Sequence, residues 1–362
     1  MIEIDGNFEN GCLDRAIRLG ENWYHLELRP DTYYWFHCRV RGCKGRDVIF
    51  QLTCRDRNEG RDRWDCGGTL VRPVVSYDKK TWEPVTFVEK AGSSIPGTYR
   101  FRHLFKEDEA YICFGHPYTY SDLQQWLITM EDSELVQRSS IGTSRNGVDQ
   151  PLLTVTANPD SKEMIILIAR EDADESPGSF AAEGVVNLLC QSDDPKLCRF
   201  LERFVLKFVP MVCVDGVIAG ATHSAGYGYG GHRWHEKPSP NEIENVKNAA
   251  RQWAHQGYRF ALAGKIHSGM TLQPVHRTDV LTSDPELRDV LIENMAARVG
   301  DVWNPRQLDL QVRPKGYFER FMLDEFDLRK TFATHAQGTS PENARRYGEG
   351  LVWAIMTYLE LH

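Results

Sequence analysis

The chain has 362 residues, 26% of them charged and 41% hydrophobic, the balance of a soluble globular protein with room for two full cores. Its 43 basic against 51 acidic residues leave a net charge of −8, which argues against a nucleic-acid surface, and no apolar run approaches the roughly 18 residues of a membrane span. The nine cysteines include no Cys-x-x-Cys, and the start, Met1-Ile2-Glu3-Ile4-Asp5-Gly6, has no basic or apolar leader; free thiols in a reducing cytoplasm are therefore expected.

Residues 1 to about 135 read as all-β. Val48, Phe50, Leu52 and Cys54 alternate with polar neighbours, the period of a half-buried strand, and Tyr33-Tyr34-Trp35-Phe36 and Tyr111-Ile112-Cys113-Phe114 are further strand-like blocks. Turn residues punctuate them at short spacing, as in a β-sandwich. Tyr118 to Leu123 then leads into a short helix. Residues 136–362 alternate strand and helix. A buried strand is expected at Met164–Leu167. Helices follow at 194–203 and Asn241–His255, with strands near Lys207–Val212 and Phe260–Ala263. A closing helix starts at Thr339-Ser340-Pro341-Glu342, a capping-box pattern, and runs to about Leu361. Such alternation predicts a mixed, mostly parallel sheet covered by helices. The expected division is an N-terminal sandwich, 1–135, and an α/β domain, 136–362.

The most informative stretch is Ile168 to Gly178, which reads as the end of a buried strand, an acidic turn and a helix start. Glu171, Asp172, Asp174 and Glu175 crowd one turn at the carboxyl end of a strand, where α/β proteins place ligands. A cation would explain the cluster. So would a helix N-terminus, whose dipole welcomes carboxylates.

This turn resembles the first metal motif of the M14 zinc carboxypeptidases, above all their cytosolic carboxypeptidase-like branch, where a strand ends in His-x-x-Glu. Glu175 keeps the glutamate, and Asp172 stands in the place of the histidine. Pro117-Tyr118-Thr119-Tyr120-Ser121-Asp122-Leu123 is similar to the segment that ends the N-terminal sandwich of that branch, although a packed aromatic corner would read the same way. Gly264-Lys265-Ile266-His267-Ser268-Gly269 resembles the segment with the third ligand, which makes His267 the match and Lys265 a departure from the usual aspartate. Pro210 to His223 resembles a further motif, with Asp215, Gly216, Val217 and Gly220 retained and His223 in place of the arginine that assists the scissile carbonyl. Gly226 to Trp234 is similar to the segment that clamps the substrate's terminal carboxylate, with His232 and Arg233 as its candidates. His232-x-x-His235-Glu236 is also open to reading as a separate metal pair, or as a polar loop. Phe321 to Phe326 resembles the strand of the general base, with Glu325 in that role and Glu319 as a second candidate.

The resemblance implies a hydrolase that acts on peptide or protein C-termini through a metal-activated water, with neither a nucleic acid nor a membrane as partner. Asp172, Glu175 and His267 would hold zinc; two carboxylates and one imidazole also suit manganese or another divalent ion. The alternative is an inactive homologue that binds a peptide or carboxylated ligand, with Lys265 occupying the metal's place against Asp172 and Glu175. An amidase of the related desuccinylase type is a third reading.

Overall fold

The computed structural model describes residues 2–30, 32, 35–53, 72–88, 98–222, 233–269, 277–282, 284–299, 304–306, 316–337 and 340–360. Strands β1 (Glu3–Asp5), β2 (Arg15–Gly20), β3 (Trp23–Glu27), β4 (His37–Arg41), β5 (Asp47–Thr53), β6 (Val74–Ser76), β7 (Glu83–Pro84), β8 (Phe87–Val88), β9 (Thr98–Leu104) and β10 (Glu109–Cys113) form two sheets. Their orders are β1-β4-β10-β6-β7 and β2-β3-β5-β9-β8. The alternation of Val48, Phe50 and Leu52 turns all three inward, into one core shared by both sheets. There Phe101 stacks on Phe36 and Phe50, with ring centroids 5.7 and 5.2 Å away. Tyr33, Tyr34 and Cys54 lie outside the described residues; Trp35 and Phe36 are buried just before β4 instead of within a strand.

Helix α1 (Tyr120–Ile128) follows. The Asp122 amide donates to the Thr119 hydroxyl at 3.0 Å, and the Thr119 amide donates to the Asp122 carboxylate at 2.7 Å. This reciprocal pair explains why the aromatic Pro117–Leu123 segment starts a helix.

The rest of the chain gives β11 (Val136–Thr143), β12 (Asp149–Val155), β13 (Glu163–Ala169), α2 (Ser176–Gln191), α3 (Pro195–Arg203), β14 (Phe204–Val209), α4 (Val214–Ile218), α5 (Asn241–His255), β15 (Arg259–Gly269), β16 (Arg277–Leu281), α6 (Pro285–Val299), β17 (Asn304–Arg306), α7 (Phe318–Phe326), β18 (Thr331–Gln337) and α8 (Pro341–Glu360). The sheet order is β11-β12-β14-β13-β15-β18-β16-β17. Its centre is parallel: β13 pairs with β14 and β15, and β15 with β18. The expected mixed sheet is thus present, with antiparallel pairs at β11–β12, β12–β14 and β16–β18. Along β13, Ile165, Leu167 and Ala169 face the core under α2 and α8, while Met164, Ile166 and Ile168 face the one under α5 and α7. Burial on both faces is why this strand reads as a continuous apolar run.

The N-terminal sheets are tied to the second region beside the sheet's carboxyl end. Asn10 receives this contact in the left-handed conformation (φ 64°), its amide donating to the Ile218 carbonyl at 2.7 Å and its side chain to Val217 at 2.8 Å. Gly220 (φ +63°) must be a glycine, because a Cβ there would stand 2.7 Å from the Asn10 and Gly11 carbonyls. His37 completes the joint, with its Nδ1 3.1 Å from Asn10 Oδ1.

Two measurements test this packing. Helices α2 and α8 touch backbone to backbone, since a Cβ on Gly348 would lie 2.0 Å from the Ala181 carbonyl and one on Gly184 would lie 2.0 Å from that of Arg345. Gly348→Val is therefore expected to cost about 3 kcal/mol in urea unfolding. Burial drops the pKa of His37 to about 3 from an ordinary 6.5. The unfolded chain gains a proton at this residue below about pH 6.5 and the folded chain does not, so stability falls as pH drops towards 3. Urea titrations at pH 7 and pH 5 should show a loss on the order of 2 kcal/mol that His37→Gln removes.

Candidate metal centre

The acidic turn leaves β13 with Arg170 in the left-handed conformation (φ 54°) and its side chain completely buried. Its Nε and Nη2 donate to the Ala173 carbonyl at 3.0 and 2.7 Å, and Nη1 donates to the Ser179 hydroxyl of α2 at 3.0 Å. The guanidinium is thus the peg around which residues 170–175 close. Burial draws its pKa down to about 10 against the pull of Asp174 and Glu175, so it stays charged near neutral pH. Beyond the turn, the Val212 and Cys213 amides donate to the carbonyls of Ala169 and Arg170, both at 3.0 Å. Gly216 lets α4 approach, because a Cβ there would be 2.9 Å from that of Ala173. Asp215 is a brace: it accepts from the Ser144 hydroxyl at 2.5 Å and the Asn146 amide at 3.1 Å.

The neighbouring strand supplies the third side chain. Parallel pairing of β13 with β15 sets Ala169 opposite Ile266, which carries His267 to the acidic turn. The Ser268 amide donates to Glu175 Oε2 at 3.0 Å, and its hydroxyl to the Glu175 carbonyl at 2.9 Å. Asp172, Glu175 and His267 each offer one donor atom, all within 4.8 Å of one another. His267 Nε2 is 3.3 Å from Asp172 Oδ2, and Nδ1 faces Glu175 Oε1. Burial and the neighbouring Asp172 and Asp174 push the Glu175 carboxyl well above its ordinary range, in spite of the Ser268 amide and Lys265. Two buried carboxylates and an imidazole whose donor atoms converge in this way are a ligand set that suits a divalent cation.

Lys265 lies two positions before His267 on β15. Its ammonium pairs with Glu171 at 2.8 Å, both side chains being buried, where the sequence suggests Asp172 and Glu175 as partners. Glu171 holds it because Trp234 Nε1 donates to the other carboxylate oxygen at 2.6 Å, which fixes the head group. Burial lowers the pKa of Lys265, but Glu171, Glu319 and Asp172 outweigh it and hold the proton more firmly than water does.

The expected general base falls elsewhere. Glu325 is on helix α7, not on a strand. Phe318, Phe321 and Met322 recur at helical spacing and bury one face, and Asp327 ends the helix in the left-handed conformation. That leaves Glu325 on the exposed side, 2.8 Å from Arg251, whose guanidinium lowers its pKa. Glu319, six positions earlier (325 − 319), is buried, and neither carboxylate oxygen has a hydrogen-bond partner among the described residues. Arg233 reaches Glu236 of its own turn, Nε to Oε2 at 2.7 Å. His223 and His232 lie outside the described residues. The Nδ1 of His235 accepts from the Gly316 amide at 2.8 Å, and its Nε2 faces Asp324 at 3.2 Å.

Sequence reasoning missed two features here. One is the Glu171–Lys265–Trp234 cluster, for which the charge at position 265 was the only signal. The other is β18, where His335 pairs in register with His267.

Comparisons with known proteins find carboxypeptidases. The family described as zinc carboxypeptidase, peptidase M14, matches residues 123–260, a span that includes the acidic turn and stops short of His267. Cytosolic carboxypeptidase 6 of Caenorhabditis elegans is 27% identical over 279 residues, covering 69% of this chain and 58% of that protein. Cytosolic carboxypeptidase 2 of Danio rerio is 26% identical over 249 residues, 60% of this chain and 34% of that one. The match thus spans between a third and some three fifths of these relatives. Among solved structures, a metallo-carboxypeptidase from Burkholderia cenocepacia superposes with a TM-score of 0.82 at 19% identity over all of both chains. One from Pseudomonas aeruginosa, in complex with (2-guanidinoethylmercapto)succinic acid, gives 0.83 at 21% over 99% of both. At these identities the likeness establishes the fold.

Lys265→Met is expected to lower unfolding stability by about 3–5 kcal/mol, since Glu171 is left buried and unpaired, while Lys265→Met with Glu171→Gln should recover most of the loss. Urea denaturation of the two variants decides it.

Proposed function

We propose that this chain, which belongs to the M14 zinc carboxypeptidase family on its cytosolic carboxypeptidase-like side, is a metal-dependent hydrolase that acts on the C-termini of peptides or proteins. The observation that carries the proposal is the convergence of Asp172, Glu175 and His267 within 4.8 Å at the carboxyl end of the parallel strands. These three would hold the metal, zinc by family and manganese by tolerance of the oxygen-rich donor set. A divalent ion bound there supplies Lewis acidity towards the scissile carbonyl and a water acidic enough to ionise near neutral pH.

The chain's own residues do the rest. Arg170 and the Ser268 amide keep the two carboxylates in position, and such supporting hydrogen bonds orient ligands. Arg233, with His232, would grip the terminal carboxylate, for which a guanidinium is the natural partner. His223 would donate to the developing oxyanion. Glu325 takes no part, since it faces Arg251. We read the N-terminal sheets as a β-sandwich domain, 1–135, that shapes access to an α/β domain, 136–362. A cytoplasmic setting is supported by the names of the curated relatives and by the described cysteines, which are free thiols. Among the described residues no helix is long and apolar enough to cross a membrane.

The second reading, a non-catalytic homologue that binds a peptide or carboxylated ligand, is favoured by one observation: Glu325, the expected base, lies on the exposed side of α7. Elemental analysis of protein purified without chelators, followed by mass spectrometry of N-blocked peptides, separates the two. Stoichiometric metal with removal of C-terminal residues supports the hydrolase; metal without trimming supports the homologue; absence of any bound zinc or manganese sinks the hydrolase. His267→Ala is expected to weaken metal binding by about a hundredfold or more, and wild-type affinity should fall from pH 7.5 to 6 as protons compete for the donors, both read by competition titration.

A further inference from the structure

The Pro117–Leu123 segment has a surface that the hydrolytic site does not use. It lines an open cavity of about 750 Å³ between the N-terminal sheets and helices α1, α2 and α8. Four rings wall the cavity: Trp82, Tyr118, Trp126 and Phe180. Much of its polar surface is already engaged. Glu183 accepts from the Tyr118 hydroxyl at 2.9 Å and from Arg345 Nε at 2.6 Å, Asp122 caps α1, and Trp126 Nε1 donates to Asn187 at 3.1 Å. Two groups are not engaged. The Lys80 ammonium makes no ion pair or side-chain hydrogen bond among the described residues, and the His116 imidazole, lowered in pKa by burial, has no hydrogen-bond partner there. Lys79 adds a second positive charge beside Lys80, with its ammonium 4.5 Å from the Tyr111 ring centre.

We propose that this cavity binds a peptide segment in which one acidic side chain is flanked by aromatic residues. The carboxylate would meet Lys80 in a charge-assisted hydrogen bond, and the flanking rings would pack edge-to-face and offset against the aromatic walls. A neutral His116 offers a ring nitrogen to a peptide N–H. Glu342, at the start of α8, also borders the cavity and disfavours a second acid. Lys80 at one end, aromatic walls, and three acids of the lining, Asp122, Glu183 and Glu342, therefore select an isolated carboxylate and not an acidic run.

The cavity adjoins the acidic turn. Ser176, the residue after Glu175, donates its hydroxyl to the His116 carbonyl at 2.6 Å. Phe180 and Glu183 lie five and eight positions beyond Glu175 (180 − 175 and 183 − 175) on α2. At about 1.5 Å per residue that is about 8–12 Å, the reach of roughly two to four extended residues. A peptide with its C-terminus at the trio could place an upstream segment here; that link rests on the carboxypeptidase assignment, whereas binding in the cavity does not.

The test uses the full chain and fluorescein-Gly-Phe-Glu-Phe-Gly-amide, which has no free C-terminus to remove, in an anisotropy titration. Saturable binding is expected, unchanged by chelators. It should be weaker by about tenfold or more for the peptide with Lys in place of Glu, and for the Lys80→Glu variant, while Lys80→Arg retains it. Lys80 is exposed, so neither variant threatens folding. Absence of saturable binding, equal binding of the Lys peptide, or an unaltered Lys80→Glu overturns the proposal. Binding by a protein that carries no metal and trims nothing overturns only the hydrolase; trimming without binding of this peptide overturns only the cavity.

Discussion

Buried negative charge at residues 170–175 is the constraint on which the second region depends. Four carboxylates leave one strand within five positions, and burial makes each costly unless it is paired. The chain answers with Arg170 as the peg of the turn, Lys265 and Trp234 on Glu171, and backbone amides on Glu175. Asp172 and Glu175 face His267, and the three donor atoms lie within 4.8 Å of one another.

The sheet makes the site possible. Parallel strands β13 and β15 end on the same edge, so a turn after one and a histidine 92 positions later (267 − 175) in the other meet without any loop having to position them. The glycines at 216 and 220 let α4 and the N-terminal sheets close around that edge. Contacts between the two regions include those at Asn10, Arg29 and His116.

Much of this was legible because it is local. The apolar run at Met164–Leu167 with its acidic turn, the helix over Asn241–His255 and the capping pattern before α8 are each carried by neighbouring residues. Glu325 was misplaced for the opposite reason. A short apolar stretch such as Phe321–Met322–Leu323 suits a strand or a helix, and the decision came from Phe318 and Phe321 packing together against the face of the sheet that also receives Trp234. Lys265 was recognised as a charge near the site, but its partner was not, since Glu171, Asp172 and Glu175 are equivalent acids in one turn until the backbone aims them.

The sequence alone supplied the candidate donors and their order: Asp172, Glu175 and His267, with Glu171 and Lys265 beside them, on alternating strand and helix. Periodicity and residue chemistry are written along the chain and need no third dimension. Which carboxylate takes the lysine and which two face His267 were decided only in the tertiary structure. The left-handed turn at Arg170 and the register of β13 against β15 set the direction of each side chain, and direction is what separates an ion pair from a metal ligand.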